Sequence, residues 1–139
     1  MTQTILLRIA ATVALVQGTA HGLLVVFDSP KNGPAEIAVV EAMRSQQFNF
    51  RGSMRSYWDF HFGYGLFSAF TCLIEAVLFW QLAKFANTNP SLSKQIVALF
   101  FFANLGYAIL VWRYFFITPL VFDLAITICL GLALMRTAA

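Results

Sequence analysis

The sequence predicts an all-α integral membrane protein, a four-helix bundle with antiparallel up-down topology and a short amphipathic helix in the long first loop. Three observations point there. Hydrophobic residues make up 60% of the 139 positions and charged residues 11%, against roughly 25% charge in a soluble domain. The mean hydropathy is +0.75, more apolar surface than a soluble fold of this length can cover. Four apolar runs also approach the roughly 20 residues needed to cross the hydrocarbon as a helix. They are too long and continuous for barrel strands, which alternate every second residue. A single transmembrane domain over 1–139 accommodates all of them.

The first span is placed at about 4–27, interrupted by Arg8, Gln17 and His21. Gly18-Thr19-Ala20 resembles a leader-cleavage site, but no basic stretch precedes Arg8, so the segment is expected to be kept as a helix. The first connection is long. Ser29-Pro30-Lys31-Asn32-Gly33-Pro34 is a turn sequence, and Pro34 suits a first helical position. Helix formers follow, so an interfacial helix is expected over 35–48, with Ile37, Val40 and Met43 facing inward. Ser56, three residues before Asp59, is a candidate cap for the second span at 57–85. A polar loop over 86–94 leads to the third span at 95–116, and Ile117-Thr118-Pro119 is read as a tight hairpin before the fourth at 120–136.

Basic residues set the expected orientation. With both termini cytoplasmic, the inner flanks carry Arg8, Lys84, Lys94 and Arg136 without acids. The outer loop mixes Lys31, Arg44, Arg51 and Arg55 with Asp28, Glu36 and Glu41, a modest positive-inside bias. The net charge of +3 comes from scattered residues rather than a basic tract, so no nucleic-acid partner is expected. Cys72 and Cys129 lie inside apolar stretches and read as small hydrophobes rather than a disulfide.

Ionisable groups inside a membrane usually face a bundle interior or a cavity. His21 and His61, counted from the ends of the first two spans, are expected at equal depth, roughly 6–9 Å below the outer surface. Arg113 and Asp123 flank the Ile117–Pro119 hairpin symmetrically and are expected to form a structural ion pair. Glu75, nine residues before Lys84, and Asn104, ten after Lys94, both fall about 14 Å from the cytoplasmic face. A hydrogen bond between them is expected if their helices face each other. Along the second span Trp58, His61, Gly65, Ser68, Cys72 and Glu75 share one face. Gln17 and His21 share a face of the first span, and Gly18 and Gly22 form a small-xxx-small pair beside it. Asn104 and Tyr107 lie together on the third, with Arg113 nearly opposite.

Four readings of these residues follow. The leading one is a cavity for a small hydrophobic or lipid-like ligand, such as a quinone, isoprenoid or sterol-like molecule, lined by His21, Gln17, Trp58, His61, Ser68, Glu75, Asn104 and Tyr107. The second is an accessory membrane subunit whose polar groups hold helices together. The third is a cofactor-independent isomerase or cyclase with Glu75 as acid and His61 as catalytic partner. The fourth is haem b ligated by His21 and His61; no other metal site is expected, because no third ligand falls at that depth. The expected partners are membrane lipid and the small hydrophobic ligand, and assembly into a homo-oligomer or a larger membrane complex is compatible with the composition.

Leu6-Leu7-Arg8-Ile9-Ala10, Gly52-Ser53-Met54-Arg55-Ser56-Tyr57-Trp58-Asp59-Phe60 and Leu78-Phe79-Trp80-Gln81-Leu82 together cover about a fifth of the chain. In these stretches and in the order of its elements the chain resembles small four-span bacterial inner-membrane proteins, DoxX-like in the broad sense. The resemblance implies a four-helix bundle in a bacterial inner membrane and assigns no catalytic residue.

Overall fold

The computed structural model of the protein describes residues 2–136. Its order is α1 (Gln3–His21), a π-helical turn (Gly22–Val26), α2 (Pro34–Ser45), β1 (Gln47–Phe50), β2 (Ser53–Ser56), α3 (Tyr57–Phe85), α4 (Pro90–Tyr114) and α5 (Ile117–Leu134). Four helices are long and apolar enough to cross a membrane: Gln3–Val26, Tyr57–Phe85, Pro90–Tyr114 and Ile117–Leu134. Much of their surface is exposed Phe, Leu and Trp, including Phe67, Leu99, Phe102 and Trp112. Lipid is the medium that such a surface requires. The protein is therefore a multi-pass membrane protein.

The helix starts follow local chemistry. Ser56 and Asp59 form a reciprocal cap at α3: the Ser56 amide donates to Asp59 Oδ2 at 2.8 Å, and the Asp59 amide to Ser56 Oγ at 3.2 Å. At α4, Asn89 Oδ1 accepts from the Leu92 amide at 3.2 Å and Pro90 occupies the first turn. The third span thus begins five residues before the predicted Gln95. α5 begins at Ile117, so Ile117–Pro119 is its first turn and not a hairpin. Pro119 fits there because the first N–H groups of a helix need no intrahelical partner. Only Phe115 and Phe116 separate α4 from α5.

The first connection contains a helix over Pro34–Ser45, which stops short of the expected Phe48. Residues 47–56 instead make a β-hairpin that pairs Phe48 with Arg55 and Phe50 with Ser53. Arg51 (φ 52°) and Gly52 (φ 90°) turn it, and Asn49 Oδ1 accepts from the Gly52 amide at 2.7 Å. Along α2, Val40 and Met43 are half-buried, while Ile37 is exposed and does not face inward.

The chain forms two compact units. One comprises the N-terminal stretch to Gln17 with Cys72 onward, and the other is Gly18–Thr71. The core of the first joins Leu6, Leu7 and Ala10 of α1 to Ala76, Phe79 and Ala83 of α3 and to Ile126 and Leu130 of α5. Alanines at these positions bring helix backbones close, as membrane packing favours. Gly131 serves the same end on α5: a Cβ there would lie 3.1 Å from the Phe101 ring. In the second unit Gly22 meets Ala69, and a Cβ on Gly65 would lie 2.9 Å from Val26 Cγ2. Phe48, Phe50, Tyr57 and Phe60 gather their rings beside the hairpin.

Candidate functional site

In the first unit, polar side chains from all four spanning helices converge inside an apolar setting. Glu75 is 7% exposed, Asn104 1% and Asp123 5%. Gln17 Nε2 of α1 donates to Asp123 Oδ1 of α5 at 2.7 Å. Asn104 Nδ2 donates to the Phe100 carbonyl one turn back at 3.0 Å, so the expected hydrogen bond to Glu75 is not formed, although the two side chains are neighbours. Thr127 Oγ1 donates to the Asp123 carbonyl at 2.7 Å. The second Asp123 oxygen, Oδ2, is buried without a hydrogen-bond partner among the described residues. Cys72, Glu75 and Asp123 are neighbours, and Tyr107 stands at the edge of the group, 43% exposed. The structure thus brings together Gln17, Glu75, Asn104 and Tyr107 from the predicted set, and adds Asp123.

That arrangement corrects the expected ion pair. Arg113 is exposed and lies over the Tyr114 ring, 5.3 Å from its centroid. Asp123 turns inward to Gln17. The two-residue connection is the reason: with α5 starting at Ile117, Asp123 is nearly two turns into the helix, on its inner face, while Arg113 points outward.

A groove of about 480 Å³ opens between α3 and α4. Leu78, Gln81, Leu82 and Phe85 line it from α3, Thr88 and Asn89 from the connection, and Leu92, Ser93, Ile96 and Phe100 from α4. Its walls continue two helix faces. On α3 the steps run Glu75, Leu78, Leu82, Phe85, and on α4 Ser93, Ile96, Phe100, Asn104, each three or four residues apart. The groove therefore ends about one turn short of Glu75 and Asn104. Phe79, fully buried, sits edge-on to Phe100 at 5.1 Å, so solid packing occupies part of the space beyond. None of the eight residues predicted to line a cavity lines this one. Ser93, which does, is 1% exposed, and its Oγ has no hydrogen-bond partner. Ser93 falls within the polar loop expected over 86–94, whereas Asn89-Pro90, a cap followed by a first-turn proline, is the local signal that starts α4 before it.

The second unit holds His21, Trp58, His61 and Ser68. His21 is half-buried beside the Gly65 carbonyl, with Nε2 buried and unpartnered. His61 is exposed and tilted against Trp58 at 5.4 Å, and the Arg44 guanidinium lies 4.0 Å from the Trp58 ring centroid. Ser68 is exposed. The contacts Gly22–Ala69 and Val26–Gly65 set an antiparallel register in which the position opposite His61 lies beyond Phe27. His21 and His61 are therefore more than a turn apart in depth, not level. The equal-depth premise for axial haem ligation by this pair fails on that register. Among the described residues no three His, Cys, Asp or Glu side chains gather as a metal site, and Cys72 and Cys129 are free thiols, both half-buried.

Compared with known proteins, the chain matches no family, no curated protein and no solved structure.

Proposed function

We propose that the protein binds a small hydrophobic or lipid-like molecule within the membrane, in the α3–α4 groove. The observation that carries this reading is the groove itself: about 480 Å³ with mostly apolar walls, inside the range of small-molecule sites. Its few polar groups are available to orient a ligand. Glu75 and Asn104 continue the same two helix faces about one turn beyond the groove. In the fuller proposal the four spans form an antiparallel bundle in a bacterial inner membrane, of the DoxX-like kind, with both termini and the α3–α4 connection cytoplasmic. α2 then lies at the outer interface. Lys84 and Lys94 flanking that connection support the orientation.

The test is purification in detergent followed by mass spectrometry of co-purified molecules. Titration of the delipidated protein with a quinone, a prenol, a sterol and a fatty acid then measures rebinding. A retained apolar molecule, displaced when Ile96→Trp fills the groove, is the expected result. A protein that carries and rebinds none of them sinks the reading and leaves a scaffold or accessory subunit. Proton-transfer chemistry is a second reading, favoured by Glu75 lying beside both an amide and a second carboxyl group. It requires turnover that Glu75→Gln abolishes while the fold is kept.

A further inference from the structure

We propose that the α3–α4 groove takes a single-chain amphiphile whose head is a carboxylate, seated at the N-terminus of α4 with its chain running toward Phe100. The inference rests on the ligand-binding reading above and names the ligand class.

The polarity of the groove is the first argument. Three of the four polar lining residues, Thr88, Asn89 and Ser93, sit at the end where α4 begins; Gln81 lies part-way along, and Leu78 and Phe100 mark the far end. A ligand matched to this lining is polar at the connection and apolar below it, the sense in which a lipid-like chain enters a bilayer.

The second argument is the sign of the charge. α4 runs for 25 residues, and its N-terminus carries the positive end of a helix dipole. Such an end is common and by itself assigns nothing. Here it coincides with Ser93 Oγ, a hydroxyl on the first turns of the same helix, 1% exposed, lining the groove and without a hydrogen-bond partner. A buried hydroxyl left unpaired is unfavourable, and a carboxylate oxygen accepting from it removes that deficit. From Ala76 to Phe122 the sequence contains Lys84, Lys94 and Arg113 and no acidic residue. The field around this end of the groove therefore favours an anion. A volume of about 480 Å³ suits one chain better than two, which favours a fatty acid over a two-chain phospholipid.

The experiment uses the full chain, delipidated and placed in phosphatidylcholine nanodiscs at pH 8, titrated with palmitate, hexadecanol and methyl palmitate. These probes share a chain and differ at the head. Palmitate is expected to bind about tenfold more tightly than either neutral probe, the weight of one hydrogen bond to a charged group. Ser93→Ala is expected to remove most of that preference while leaving hexadecanol binding in place. Since Ser93 Oγ has no hydrogen-bond partner among the described residues, this change is expected to keep the fold. The double variant Lys84→Gln, Lys94→Gln is expected to weaken palmitate and reduce its sensitivity to salt. Equal binding of all three probes overturns the carboxylate assignment and leaves the groove reading standing. Binding of none, or binding that Ile96→Trp does not weaken, overturns both.

Discussion

Replacing Gln17 by Leu tests whether the polar convergence in the first unit holds its helices together. The wild-type bond is short, 2.7 Å from Gln17 Nε2 to Asp123 Oδ1, and Asp123 is only 5% exposed. Its other oxygen already lacks a partner, so removal of the amide strands the whole carboxyl group among apolar side chains. A hydrogen bond to a charged group is worth about 1.5–3 kcal/mol. Within membranes, interhelical bonds average about 0.6 kcal/mol and reach about 1.7, because the unfolded state in lipid finds substitute partners. The burial and the orphaned Oδ2 place this pair at the upper end of the membrane range, so Gln17→Leu should cost about 1.5 kcal/mol. Asp123→Leu should cost less, since Gln17 is only half-buried. The double variant, which leaves neither group stranded, should recover most of the loss. Reversible unfolding of the four proteins in mixed micelles measures the coupling. Single losses that simply add in the double variant, to within about 0.3 kcal/mol, would refute the argument.

Other outcomes follow from single contacts. Gly65→Ala places a Cβ 2.9 Å from Val26 Cγ2 and should destabilise by about 1–3 kcal/mol through overpacking; adding Val26→Ala should restore part of it, measured by the same unfolding assay. Ser56→Ala removes the hydroxyl that caps the Asp59 amide and should cost about 1 kcal/mol, with faster hydrogen exchange in the first turn of α3. Glu36 accepts the Lys31 and Asn32 amides at 2.7 and 2.6 Å, and these bonds, that from Asn32 foremost, hold its carboxyl below the usual range. The Lys31 side chain does the same for Asp28. Because both are depressed in the folded state, their contribution is complete above the ordinary carboxylate range and is lost as the pH falls below about 4. Amide exchange at Lys31 and Asn32, corrected for its intrinsic pH dependence, should lose protection in that window and not at neutral pH.

The spanning segments were legible because lipid leaves a helix few ways to satisfy its backbone, and uninterrupted apolar length is a strong signal. The Ser56–Asp59 cap was legible for a local reason, the spacing of two side chains that reach each other's amides. The β-hairpin was not. Its strands are four residues each, Phe48 and Phe50 read equally well on a helix, and only Arg51-Gly52 marks the turn. Within the site, counting from Lys84 and Lys94 placed Glu75 and Asn104 level because α3 and α4 are joined by a short connection that ties their ends. The same counting failed for His21 and His61. There the chain leaves α1 through a π-turn and travels thirty residues before α3, so nothing local ties the ends, and packing at Gly22 and Gly65 sets the register instead. Arg113 and Asp123 failed for a smaller reason: counting outward from an assumed hairpin at Pro119 put the turn two residues too late.

Glu75 is where the structural and chemical readings divide, and its position allows them to be separated. It shares a face of α3 with the groove wall, yet its own surroundings are Asn104, Asp123 and Cys72, and the groove stops a turn away at Leu78. A Gln at that position keeps the size and remains a polar neighbour of Asn104, so packing of α3 against α4 should survive. Ligand retained in the groove should be unaffected, because the head proposed for it lies at the other end, by Ser93. Asn104→Leu behaves differently in the same assay: it takes the amide away from the Phe100 carbonyl and leaves Glu75 with an apolar neighbour, and should destabilise more than Glu75→Gln does. If instead Glu75→Gln alone released the bound molecule while Asn104→Leu did not, the acid would be in contact with the ligand, and the head would have to be placed in the polar cluster rather than at the start of α4.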